Sequence, residues 1–201
     1  MARSRSWRNI IKKPLSLNEV AEILRGLGSL SDQGVAVVCT SLFERGLERA
    51  ILARLSNIKL SRRKELFEGG GPLSSLFAKM RIAYGLSIFG DHTYSDLDKL
   101  REIRNVFAHS THTVRFSTPR IASHCLSLRI CDHNVVPAQL VILGWLDLHV
   151  AARDRGKVAA MLQDPRRRFI YAATLYWLLF STVETKRPVR SRDSFTRRYL
   201  C

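Results

Sequence analysis

Apolar residues recur along most of this chain at helical spacing. After Ser16, which is placed to cap a helix, Leu17, Val20, Ala21, Leu24 and Leu27 share one face, and Gly26 and Gly28 end the run. Ser31 or Asp32 can cap a second helix running to about Leu55. In it Val35, Cys39, Phe43, Leu47 and Ile51 repeat every four residues, with Glu44, Arg45, Glu48 and Arg49 on the opposite side. Gly69-Gly70-Gly71-Pro72 is the clearest break, since such a run neither continues a helix nor sits in a strand ladder. A third helix is predicted beyond it, with Leu73, Leu76, Phe77, Met80, Tyr84 and Ile88 on one face. A fourth is predicted from residue 94 to about 109, with Leu97, Leu100, Phe107 and Ala108 inward.

Beyond Ser110 the periodicity weakens. Thr111 to Ser117 is polar, Pro119 can open a short helix through Leu126, Leu126 to Val136 fits strand or loop, and Val135 to Val150 has no clear period. It returns at Asp164-Pro165, a capping Asp with proline at the first helical position, followed by Phe169, Ala172, Ala173, Tyr176, Leu179, Phe180 and Val183. Ile170, Trp177 and Leu178 are apolar on the other side, so this helix is either central or part of a dimer interface. The pattern predicts an all-α, compact bundle of about six helices. A symmetric homodimer is expected, because two long helices carry surplus apolar surface and twofold pairs are the commonest oligomers.

A hydrophobic fraction of 46% with 25% charged residues is a globular balance, and 201 residues suffice for one domain with a real core. The charge changes that picture. Lys and Arg number 33 against 17 Asp and Glu, a net +16. Residues 1–13 carry Arg3, Arg5, Arg8, Lys12 and Lys13 with no acid. Residues 186–201 carry Lys186, Arg187, Arg190, Arg192, Arg197 and Arg198 against Asp193. The expected organisation is therefore a basic tail (1–13), a helical domain (14–186) and a second basic tail (187–201). Such ends suit a polyanion, with salt-sensitive affinity for phosphate backbones and no inherent choice of base sequence. Arg166-Arg167-Arg168 at the start of the last helix is a further candidate phosphate contact, although cations there oppose the helix dipole.

Other chemistries find little support. Pro14 and the mixed run after it supply no signal-peptide core. Tyr171 to Phe180 and Val135 to Leu146 fall short of the roughly 20 apolar residues that span a bilayer, so a cytoplasmic, non-membrane protein is expected. Cys39, Cys125, Cys131 and Cys201 make no disulfide framework, and Cys39 reads as a small core residue. His124, Cys125, Cys131 and His133 bring ligand types together, but the HC-x5-C-x-H spacing matches no common zinc knuckle, so neither metal nor cofactor is expected. Gly69-Gly70-Gly71 lacks the Lys-Ser/Thr of a phosphate-binding loop.

One constellation carries chemistry. Spacing places Arg104 with Leu97, Leu100 and Phe107, a permanent cation among core positions that needs a partner, such as Glu44 or Glu48, or a cleft. Asn105 and His109 are four apart and stacked on the outer face. Arg104 and His109 lie about 140° apart around the helix and about 7.5 Å along it, so they converge only if the helix ends near His109 or a second protomer supplies its own copy.

LFEGGGPLSSLFAKMRIAYGLSIF and YSDLDKLREIRNVFAHS, within residues 66–110, resemble the signature region of the mannitol operon repressor (MtlR) family. SDQGVAVVCTSLFERGLERAI (31–51) resembles the family's preceding helix and PRRRFIYAATLYWLL (165–179) its last. Asp32-Gln33-Gly34 departs from the family's Asp-Arg-Gly, and residues 128–160 have no counterpart. The resemblance implies a compact helical transcriptional regulator without a helix-turn-helix, and no recognition-helix pattern appears here. Arg104-Asn105-Val106-Phe107-Ala108-His109 also resembles the R-x4-6-H motif of HEPN-fold proteins. That likeness implies metal-independent RNA cleavage, with His109 moving protons, Arg104 stabilising phosphoryl charge and Asn105 holding the backbone. A repressor contacting nucleic acid through basic surfaces, a HEPN-type endoribonuclease and a non-catalytic protein-interaction module all stay open.

Overall fold

The computed structural model of the chain describes residues 15–55, 58–133 and 155–183, which form eight α-helices and two 3₁₀ turns. The helices are α1 (Leu17–Gly26), α2 (Asp32–Arg54), α3 (Leu60–Phe67), α4 (Leu76–Gly85), α5 (Asp91–His109), α6 (Pro119–Leu126), α7 (Arg155–Met161) and α8 (Pro165–Ser181). The 3₁₀ turns are Leu27–Ser29 and Arg129–His133. The all-α expectation holds, and all six helices read from periodicity are present. α3 and α7 are additional. α3 escapes notice because Ser61-Arg62-Arg63-Lys64-Glu65 has almost no apolar period.

Local signals set the helix starts. The Ser16 hydroxyl accepts from Glu19 N while the Glu19 carboxylate accepts from Ser16 N, a reciprocal capping box. Ser31 caps α2 through Gly34 N at 3.1 Å, Ser75 caps α4 through Ala78 N at 3.1 Å, and Asp164 caps α8 through Arg167 N at 2.7 Å. The glycine run reverses the chain after α3. Gly69 and Gly70 have φ of +58° and +85°, and a Cβ on Gly71 would stand 2.1 Å from the Glu65 carbonyl oxygen.

α2 and α8 form the centre. Every residue of α8 from Arg168 to Phe180 is buried, so its two apolar sides are covered by the chain's own packing. The four-residue stripe of α2 is buried throughout, and Gly46 lets the helices approach closely: a Cβ there would lie 3.1 Å from Trp177 O and 3.3 Å from Phe180 Cβ. α5 packs against α2 and buries Leu97, Leu100, Ile103 and Phe107, and the rings of Phe107, Phe116 and Phe169 follow at 4.9 and 5.1 Å, joining α5 and the loop after it to α8. A buried carboxylate fixes the arrangement. Asp96, 1% exposed, accepts from Arg129 N (3.1 Å), Ile130 N (3.0 Å) and the Tyr176 hydroxyl (2.9 Å).

Two faces differ from the sequence reading. α4 is only ten residues long and turns Met80 and Ala83 inward, leaving Phe77 and Tyr84 each 44% exposed. Those rings are accommodated at the surface: the guanidinium carbons of Arg81 and Arg101 lie 5.7 and 5.3 Å from the Phe77 centroid, and Tyr84 donates to Asp91 at 2.6 Å. In α5 the inner position is Ile103 rather than Arg104, which is half-buried beside the stripe, as is Ala108. Both 100-103-107 and 100-104-107 satisfy helical spacing, and the apolar alternative takes the core because burying isoleucine is favourable where an unpaired guanidinium is costly.

Candidate functional site

The last turn of α5 carries the Arg-Asn-x-x-x-His element. Arg104 Nη1 donates to Asn105 Oδ1 at 3.2 Å, so the two side chains are held together at the surface. The carboxylates expected to pair with Arg104 are engaged elsewhere: Lys79, 5% exposed, places its Nζ 2.7 Å from Glu44 and 3.4 Å from Glu48. Among the described residues no carboxylate lies within ion-pair distance of Arg104. α5 ends on His109, which is exposed, and Ser110 N closes the final turn on Val106 O at 2.9 Å. His109 is thus the last residue of the helix, on the same final turns as Arg104 and Asn105.

The chain leaving His109 is pinned by one carboxylate. Asp32, the first residue of α2, accepts from Phe116 N at 2.9 Å and from Arg166 Nη1 at 3.0 Å. Arg166 Nη2 also donates to Leu27 O (2.9 Å) and Leu30 O (2.8 Å), closing the turn before α2. The N-terminus of α2, the start of α8 and the loop after α5 thus border an open cleft of about 540 Å³. Its walls include Gln33, Thr111, His112, Thr113, Arg115 and Arg166. Phe107 and Val114 are the apolar contributors. Sequence reasoning misses this cleft. Its tie residues are 84 and 134 positions apart, and no local pattern links them.

The three arginines opening α8 have different fates. Arg166 forms the tie just described. Arg168 is 6% exposed and donates to Leu128 O at 2.9 Å and to Asp132. Arg167 is exposed, leaving it as the one of the three whose side chain faces solvent. The cations of the two ends, from Arg3 to Lys13 and from Lys186 to Arg198, lie outside the described residues, as does Val135 to Leu146.

Two members of the cysteine and histidine cluster make contacts within the fold. Cys131 Sγ is 3.6 Å from Arg168 O, and His124 Nε2 is 3.4 Å from Glu102. Burial pushes the Cys39 and Cys125 thiols up to about 12 and raises Cys131 as well, opposite to what a thiolate nucleophile needs. Burial likewise raises the Tyr176 phenol, assisted by the neighbouring Asp96 charge. Among the described residues no helix is long and apolar enough to cross a membrane.

No curated protein and no solved structure matches the chain. A family model does, over less than half of the chain, in a stretch that contains residues 66–110 and stops short of the helices at 31–51 and 165–179. Residues 61–142 match the mannitol repressor (MtlR) family, so the likeness extends over residues 128–142, where the sequence reading finds no counterpart, and this region carries α3 to α6 with the Arg104–His109 turn near its middle.

Proposed function

We propose that the chain is a repressor-type transcriptional regulator that contacts nucleic acid through basic surfaces. The observation that carries this reading is the mannitol repressor match. The net charge of +16, concentrated at the two ends, supplies the mode of contact. Phosphate contacts of this kind position a protein on nucleic acid and make its affinity fall with salt. Arg167, exposed at the start of α8, adds a cation from the folded body. Removing residues 1–13 and 187–201 is expected to weaken binding to every DNA sequence alike. It should also flatten the dependence of log K on log salt by about 0.9 for each phosphate no longer neutralised. Fluorescence anisotropy across a salt series measures both. A trimmed body that holds one DNA site as tightly as the full chain would contradict the tail-based mode.

A second reading has its own observation. Arg104 has an amide rather than a carboxylate beside it and stands on the turn that ends at exposed His109. A guanidinium not neutralised within the fold can meet phosphoryl oxygens, and an accessible imidazole can move a proton to or from a ribose oxygen. Under this reading single-stranded RNA is cut in EDTA, DNA of the same sequence is spared, and Arg104→Ala or His109→Ala slows cutting about 10²–10⁴-fold. Cleavage that persists in both variants would trace to a contaminant and end this reading.

A further inference from the structure

We infer that the cleft between the N-terminus of α2, the start of α8 and the loop after α5 is a binding site for a small phosphate monoester. The cleft is lined by the helices and the loop after α5, and the inference does not depend on the regulator reading.

The lining carries an unmatched positive charge. The Asp32 carboxylate is matched by Arg166 at 3.0 Å and also accepts from Phe116 N, so it is already neutralised within the fold. Arg115 then remains as the full charge of the lining with no carboxylate within ion-pair distance among the described residues. The cleft is therefore net positive, and the first residues of the 23-residue α2 add the positive end of a helix dipole to the same wall.

The walls are also rich in hydrogen-bonding groups. The Ser31 and Ser110 hydroxyls are engaged with Gly34 N and the His112 backbone, and Thr111 and Thr113 offer hydroxyls, Gln33 an amide and His112 an imidazole, against two apolar residues. A flat apolar ligand would leave those groups unpaired, whereas a monoester presents three charged or accepting oxygens and a polar body. A guanidinium fork fits two phosphate oxygens at once. The size agrees, since about 540 Å³ lies within the range of small-ligand pockets.

A phosphate in this cleft can belong to a free small molecule or to a nucleic-acid backbone, and a volume within the small-ligand range favours the former. The test titrates the full-length protein at 150 mM salt, by calorimetry, with glycerol phosphate, inorganic phosphate and an eight-residue oligothymidylate lacking terminal phosphates. Glycerol phosphate is expected to bind at one site per chain, at least tenfold more weakly in Arg115→Ala and severalfold more tightly in Gln33→Arg, which adds a cation to the wall. Arg62→Ala, on α3 and outside the lining, leaves the affinity unchanged. Equal binding by Arg115→Ala and the parent would place the anion elsewhere and overturn the proposal, as would the absence of saturable binding. Oligothymidylate binding that depends on Arg115 while glycerol phosphate does not bind would assign the cleft to a backbone phosphate and overturn the small-molecule assignment. DNA affinity lost on trimming the ends but kept in Arg115→Ala separates a failure here from a failure of the tail-based reading.

Discussion

The arginines that open α8 and the arginine near the end of α5 look alike in sequence and differ in use. Arg166 and Arg168 donate into carbonyls and carboxylates of their own fold, with Arg168 almost wholly buried. Arg104 hydrogen-bonds only to the neighbouring amide of Asn105 among the described residues and stays half-exposed. Arg168 is buried with two donations into its own fold and Arg166 is spent on Asp32 and two carbonyls, so this pair is structural, whereas Arg104 has no carboxylate beside it among the described residues. A count of cations along a helix therefore overstates the charge that a partner can meet.

The contrast between a closed core around α8 and an open turn at the end of α5 can be tested by stability. The largest effect is expected from alkali. Unfolded thiols lose protons from about 9, while folded Cys39 and Cys125 keep theirs to about 12. Above pH 9 the unfolded chain thus binds fewer protons, and stability falls as pH rises, by up to about 1.4 kcal/mol per pH unit for each such thiol. Tyr176, raised in the same direction, adds to the loss above its usual range near 10. Thermal melts between pH 8 and 10.5 should show a steepening decline, and a flat profile would mean that these groups are reached by water.

Next in size is the tie between the two helices. Asp96→Ala leaves two backbone amides and the Tyr176 hydroxyl of α8 without their acceptor, and a loss of about 3–5 kcal/mol is expected in urea unfolding. A loss below about 1 kcal/mol would show that α5 is not anchored to α8 by this carboxylate.

The smallest effects bear on the contrast itself. Arg168→Ala should lose about 2–4 kcal/mol, because Leu128 O loses a donor in a buried setting and the buried side chain leaves a void, while Arg104→Ala should change stability by less than about 1 kcal/mol. Equal losses would erase the distinction drawn between them.

Legibility in the sequence follows the range of the interactions. Helix starts at Ser16, Ser31, Pro119 and Asp164-Pro165 depend on residues within a turn of one another, and each is readable from the chain alone. The buried four-residue stripe of α2 is readable for the same reason. The face of α4 is not, since Lys79 enters the core only because Glu44 and Glu48 await it on another helix.

Local pattern alone carries the helical class, the break at the glycines, the charge and the likeness of residues 66–110 to the mannitol repressor family. Which residue of α5 faces inward, which arginines of α8 are available, and where a cleft forms depend on how the helices pack. Burial and ion pairing are set by what a second element brings across the gap. Asp32, Phe116 and Arg166 carry no mark of their meeting until the chain has closed upon itself.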